Sequence, residues 1–287
     1  MGTSGTGKSL FISQVTGNED GVGHQLTSCT SDIGVTKCTI LGFPVVLVDT
    51  PGFDDTEISD VQVLEMISDW LVKTYRRKVL LSFILFFHRI TDNRMSGTPL
   101  RNLQVFQKLC GHKAMSRVIL VTTMWDEIEV EIGQERLDEL KGGYWKPMIA
   151  KGSKTFEHRN DPSSALELLE MIVHDKGERT RVALQREITD LKMKLPETGA
   201  GQELCSCLEQ LAQEQLKILR QIRGKTRNPI AKESEGDLRK EYAELRFQLD
   251  ATLSQVQALE LSLAQRIVVR LRRTWRQLAL TLVKRQD

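Results

Sequence analysis

The chain has little of what fixes a protein by covalent or membrane constraints. Its 287 residues include only five cysteines, Cys29, Cys38, Cys110, Cys205 and Cys207. Their number is odd and no CxxC occurs. That argues against a disulfide framework or a zinc site and fits reduced thiols in a cytoplasmic protein. The most apolar stretch, Val79 to Phe87, is far too short to span a bilayer. The polar, Gly-rich N-terminus carries no signal-peptide pattern. Net charge is only +2, so the balance of the whole chain suits neither a nucleic-acid binder nor an acidic tail protein. A hydrophobic fraction of 40% does supply a core, and the length fits one large domain with an extension or two small domains.

What the chain does have stands at its start. Met1 to Ser9 reads MGTSGTGKS, with Gly2, Gly7, Lys8 and Ser9 in the GxxxxGKS spacing of a nucleotide phosphate-binding loop. Glycines, including Gly5, let successive N–H groups turn toward phosphate oxygens. The loop then enters a helix N-terminus that favours negative charge. Lys8 is placed to reach the β- and γ-phosphates and Ser9 to hold Mg²⁺. Leu10-Phe11-Ile12 opens the helix that such a loop requires. In a doubly wound sheet this loop follows a central strand. Only Met1 precedes it here, so the expectation is a chain starting at an internal methionine. The myristoylation-like pattern at Gly2 coincides with the loop itself. Leu195 to Gly199 spells a sorting pentapeptide but lacks the apolar tail such a signal needs, and it reads as a helix stop and new N-cap.

The segment from Gly17 to Asp32 reads as a polar loop with a switch-like Ser/Thr cluster. Thr30 is the choice for a residue meeting Mg²⁺ and γ-phosphate, with Thr27 and Ser28 as competitors. Val35 to Leu41 alternates as a strand, Gly42-Phe43 turns, and Val45 to Val48 reads as a strand buried on both faces. It ends in Asp49-Thr50-Pro51-Gly52. Asp49 is placed to hold Mg²⁺ through water and Gly52 to sense the γ-phosphate. The next residue, Phe53, cannot orient water, so catalysis needs another group or is slow. Ser59 and Gln62 form a capping box before Val61, Leu64, Ile67 and Leu71.

After the strand ending near Phe87 comes a polar cluster, His88 to Arg94. It faces a nucleotide, a second domain of the same kind, or solvent. Arg117 to Thr122 is another buried strand and leads into Thr123-Met124-Trp125-Asp126. A carboxylate at Asp126 would accept from the N1–H and 2-amino groups of guanine, which adenine lacks. Met124 replaces the lysine usual before it. A helical stretch from about 132 to 150 is interrupted at Gly142-Gly143. A short strand over 154–158, Arg159-Asn160 near a base-contacting loop, and an amphipathic closing helix then follow.

From about residue 176 the pattern becomes helical. Leu184, Ile188, Leu191 and Leu195 recur at 4-3-4 spacing, as do Leu204, Leu208, Leu211, Ile218 and Ile222. A linker over 224–236 precedes Leu245, Leu249, Val256, Leu259 and Leu263. These stripes fit packing on the first domain, a helical hairpin or an intermolecular coiled coil. The last stretch interleaves Arg266, Arg270, Arg272, Arg273 and Arg276 with Ile267, Leu271 and Trp275. That suits a membrane surface, a partner groove or an exposed coiled-coil end.

Taken in order, GTSGTGKS, SCTSD, DTPGFDDT, HRITDNRMSG and TTMWDE resemble the septin-like GTPases. That group includes the immunity-associated GTPases and the chloroplast-envelope import receptors, and the likeness is nearest to fungal G domain-containing proteins. It covers roughly residues 1 to 175. It implies an α/β P-loop G domain with a mainly parallel sheet over 1–175 and a helical, partly coiled-coil extension over 176–287. It further implies GTP/GDP and Mg²⁺ at Gly2, Gly5, Gly7, Lys8, Ser9, Leu10, Thr30 and Asp49, and base reading at Thr123 and Asp126. Lys8, Thr30 and Gly52 would serve turnover, and a homodimer would form across the nucleotide face. The implied function is a slow GTPase switch. The alternative is a degenerate, non-hydrolysing G domain in a coiled-coil scaffold.

Overall fold

The computed structural model of the chain describes residues 1–17, 32–55, 57–95, 97–226 and 235–259. Thr27, Ser28 and Thr30, the linker beyond Thr226 and the basic C-terminal stretch lie outside these residues. The chain divides into two compact units, Met1–Ala200 and a second beginning at Gly201.

The first unit is a P-loop G domain built on a parallel sheet. Helix α1 (Lys8–Thr16) follows the loop, with Gly7 as its N-cap. Strands β1 (Gly34–Ile40) and β2 (Phe43–Asp49) pair as an antiparallel hairpin, with Ile40 opposite Phe43. The turn is Leu41-Gly42, at φ 49° and 82°. Two left-handed residues match the right-handed twist of the flanking strands, which is why the turn falls one residue earlier than expected. The expectation that Val45 to Val48 is buried on both faces does not hold, since Val46 is 56% exposed. Cys38, Ile40, Val45 and Leu47 face inward onto Phe11 and Leu168, and the alternate positions point away.

Helix α2 (Asp60–Arg76) begins with the anticipated capping box: Gln62 N–H donates to Ser59 Oγ (3.3 Å) and Ser59 N–H donates to Gln62 Oε1 (3.0 Å). Val61, Leu64, Ile67 and Leu71 are buried on its inner face. Strand β3 is Ile84–Arg89, shorter than the apolar run suggested. Val79 is exposed, and Leu81 instead exchanges backbone hydrogen bonds with Thr180. Helix α3 (Thr98–Ala114) carries Leu103, Phe106 and Leu109 inward and kinks at Gly111, where φ is 70°. Strand β4 (Val118–Thr123) is buried throughout, as its unbroken apolar sequence demands. Helices α4 (Val130–Gly142) and α5 (Lys146–Ile149) flank the Gly142-Gly143 interruption. Strand β5 (Lys154–Glu157) completes the parallel order β3-β4-β5, and α6 (Pro162–Val173) packs against α1 and β1.

Helix α7 (Ala183–Thr189) docks on α2 and α3. Gln185, fully buried, donates from Nε2 to Leu71 O (3.0 Å) in the last turns of α2, tying α7 to that helix. The second unit holds most of α8 (Gly199–Thr226) and all of α9 (Glu235–Leu259). Ala212 and Leu219 of α8 pack with Leu249 of α9, flanked by Tyr242 and Leu245.

The place between the hairpin and the parallel sheet is entered by the first residues. Phe87 N–H donates to Met1 O (2.9 Å) and the Met1 amine to Leu85 O (2.8 Å) on one side. On the other, Ser4 N–H donates to Phe53 O (2.9 Å) and Phe53 N–H to Gly2 O (3.3 Å). The phosphate loop is thereby hydrogen-bonded to both neighbours of the sheet's middle.

Candidate functional site

Three glycines of the loop hold positive φ: Gly2 at 147°, Gly5 at 73° and Gly7 at 79°. Each is a backbone shape that L side chains rarely adopt. At Gly2 a side chain is also excluded by space, since a Cβ would lie 2.4 Å from Phe87 O. Gly52 closes on the loop from the other side. A Cβ there would stand 2.5 Å from the Ser4 nitrogen. At Gly52 the DxxG segment and the phosphate loop therefore approach backbone to backbone.

Lys8 is buried and its Nζ donates to Thr3 O (2.8 Å). Burial lowers its pKa to about 8, against the opposing pull of Asp49 and Asp55. Ser9 Oγ donates to Asp49 Oδ2 (2.5 Å), and Asp49 Oδ1 accepts from Thr50 N–H (3.0 Å). A hydroxyl and a carboxylate oxygen meeting beside a phosphate loop are hard ligands of the kind Mg²⁺ takes. That ion uses few protein oxygens and fills the rest with water and phosphate. Leu10 lies half-buried one residue further along α1.

At the far end of the site, Asp126 sits just after β4, and Met124 adopts a left-handed conformation at φ 62°. A Cβ on Gly7 would touch Met124 and Thr123 at 3.9 Å, so these residues adjoin the loop. The Thr123 hydroxyl turns inward and donates to Thr6 O (3.2 Å). Asp126 Oδ2 accepts from Asn160 Nδ2 (3.1 Å). Asn160 O and Oδ1 in turn accept from Gln14 Nε2 on α1, at 2.9 and 3.4 Å. The sequence placed Asn160 near the base but gave no signal for Gln14, which belongs to no motif. Nor did it foresee that the residue after Gly52 is spent on the fold: Phe53 is 1% exposed.

The polar cluster His88 to Arg94, whose first two residues close β3, divides by depth. The His88 ring is buried edge-on to Trp145, and burial lowers its pKa to about 4. It is neutral at physiological pH. Arg89 pairs with Asp92 (3.1 Å), and its guanidinium lies 3.6 Å from where a Gly5 Cβ would be. Arg136 caps Ile90 O and Thr91 O, both at 2.9 Å. A cavity of about 220 Å³ opens beside His88, Asp92, Arg94 and Tyr144, and none of its lining residues belongs to the phosphate loop.

Together the parallel sheet, the glycine-turned loop entering α1 and the Ser9–Asp49 pair give the first unit the fold of a P-loop GTPase G domain. Residues 1–124 match the profile of a family described as 50S ribosome-binding GTPase. GTP-binding protein A of Dictyostelium discoideum is 26% identical over 147 residues, which are 51% of this chain and 32% of that protein. The chain thus spans about a third of that relative. Among solved structures, one of the chloroplast translocon components atToc33 and psToc159, for whose GTPase activity dimerization is important, superposes with a TM-score of 0.52. It is 16% identical and covers 63% of this chain and 84% of its own. Toc33 from Arabidopsis thaliana with GDP and Mg²⁺ gives 0.48 at 16% identity, over 63% and 85% of the two chains. Within the described residues no helix is long and apolar enough to cross a membrane.

Proposed function

We propose that this chain binds GTP with Mg²⁺ and hydrolyses it slowly, as a nucleotide-dependent switch of the septin-like kind. The observation that carries this reading is the meeting of three groups. Lys8 is buried beneath the loop, Ser9 and Asp49 touch, and Gly52 is packed on Ser4. Lys8 neutralises phosphate charge and the loop N–H groups hold the phosphate oxygens. Ser9 and Asp49 would hold Mg²⁺, which supplies further charge neutralisation. Gly52, in backbone contact with the loop, reports whether a γ-phosphate is present. Thr30 completes the switch from the segment outside the described residues. Asp126 selects guanine.

Slow turnover follows from Phe53. Its side chain is core, so no water-orienting group stands after Gly52. Such a group would come from elsewhere, and a second copy docked across the nucleotide face is the proposed source. The helical second unit is the part available for a coiled-coil or membrane partner.

The test is nucleotide content of the purified chain, followed by GTP turnover with Mg²⁺ across a range of protein concentrations. Bound GDP or GTP is expected, with a rate per subunit that rises with concentration as copies pair. A chain that holds no guanine nucleotide in the presence of Mg²⁺ would overturn the reading and leave a scaffold built on a relic loop. A rate independent of concentration would remove the second copy from the mechanism.

A further inference from the structure

The guanine-reading end of the site is tied to the phosphate-loop helix through the side chain of Gln14, which bonds both the backbone carbonyl and the side chain of Asn160. Gln14 stands on α1 and donates from Nε2 to both Asn160 O (2.9 Å) and Asn160 Oδ1 (3.4 Å). Asn160 donates from Nδ2 to Asp126 Oδ2 (3.1 Å). Asn160 sits at φ 59°, a left-handed position that asparagine tolerates better than most residues. We propose that Gln14, acting through Asn160, is a positioning residue for base discrimination: it fixes the orientation of the Asp126 carboxylate. The inference rests on the proposed role of Asp126 as the group that reads guanine.

The chemistry of the amides makes the chain directional. A carboxylate only accepts, so the Asn160 group facing Asp126 must be its NH₂. That turns Asn160 Oδ1 away, toward α1, where with Asn160 O it presents acceptors. Gln14 must then offer its own NH₂. Flipping the Gln14 amide would set oxygen against both Asn160 oxygens. The cost of this fixed orientation is visible, because Gln14 Oε1 is buried with no hydrogen-bond partner among the described residues. A buried acceptor left unpaired is unfavourable, and its presence beside a ligand site is the kind of local inconsistency that function imposes. The relay occupies one oxygen of Asp126 from the side. Its remaining acceptor capacity is left for the N1–H and 2-amino donors of guanine.

A second consequence is mechanical. α1 begins at Lys8 and Ser9, so the helix that carries Gln14 also carries the residues proposed above for phosphate and for Mg²⁺. Base recognition and phosphate recognition share one rigid element.

The experiment is competition binding of GTP, ITP and ATP to the whole chain, comparing the unaltered protein with Gln14→Leu and Asn160→Gly. Leucine keeps bulk and removes the donor. Glycine keeps the left-handed backbone and removes the amide. ITP lacks the 2-amino group, so the GTP:ITP ratio reads that contact and the GTP:ATP ratio reads the whole guanine edge. Each variant is expected to lower both ratios by about tenfold, the size of one hydrogen bond to a charged group. ATP affinity should stay unchanged, which a merely structural loss would not allow. Both variants keeping the full GTP preference would overturn the inference while leaving the guanine role of Asp126 intact. An unaltered protein that binds ATP as tightly as GTP would overturn both. Should Gln14→Leu fail to fold, as thermal melting would show, Gln14→Glu decides in its place, since a carboxylate cannot donate to Asn160.

Discussion

Lys8 carries its charge where the surroundings disfavour it. Burial lowers its pKa from the ordinary 10.5 to about 8, so in the nucleotide-free protein the ammonium is held at a cost that bound phosphate would offset. The sign of the pH effect follows. Between pH 8 and 10.5 the unfolded chain keeps a proton that the folded chain has released, and stability rises with pH wherever the unfolded state binds more protons. Urea unfolding of the nucleotide-free protein is expected to show a midpoint that climbs through this window. In Lys8→Met that climb should be lost, together with nucleotide binding. A climb of the same size in the variant would place the proton on another group.

At the scale of elements, the position of α7 depends on one glycine. The α3 kink at Gly111 has φ 70°, and a Cβ there would stand 2.5 Å from the Ala183 Cβ at the start of α7. Gly111→Ala therefore combines backbone strain with overpacking. We expect a loss of about 2–4 kcal/mol in denaturant unfolding, against less than about 1 kcal/mol for alanine at the exposed Lys113 on the same helix. The 4-3-4 stripe that begins at Leu184 fits, by sequence, packing on the first domain, a helical hairpin or an intermolecular coiled coil. Its first turn packs inside the unit Met1–Ala200, with Leu184 and Gln185 fully buried. Periodicity identified the apolar face and could not say what that face meets, because any apolar partner satisfies the same pattern.

For the whole molecule, the division after Ala200 places all the described residues of the proposed nucleotide site in one unit. A chain ending at Ala200 is expected to keep the melting behaviour of the first unit and to bind guanine nucleotide within about threefold of the intact chain, since domains with their own core fold alone. Isothermal titration of both proteins checks this. An affinity loss much beyond that would assign part of the site to α8 or α9.

The sequence by itself determined the phosphate loop, its helix, the capping box on α2, the buried run of β4 and the order of the motifs. These depend on residue type at fixed local spacing: glycine for left-handed backbone, a paired cap, a continuous apolar strand. The tertiary structure decided what local spacing cannot carry. It showed that Val46 is exposed because the outer face of its hairpin goes uncovered, and that Phe53 is core because its backbone is bonded to Gly2 and Ser4. It also showed that Gln14, 146 positions from Asn160, reaches it across the fold. Each is a contact between residues distant in the chain, and only packing brings such residues together.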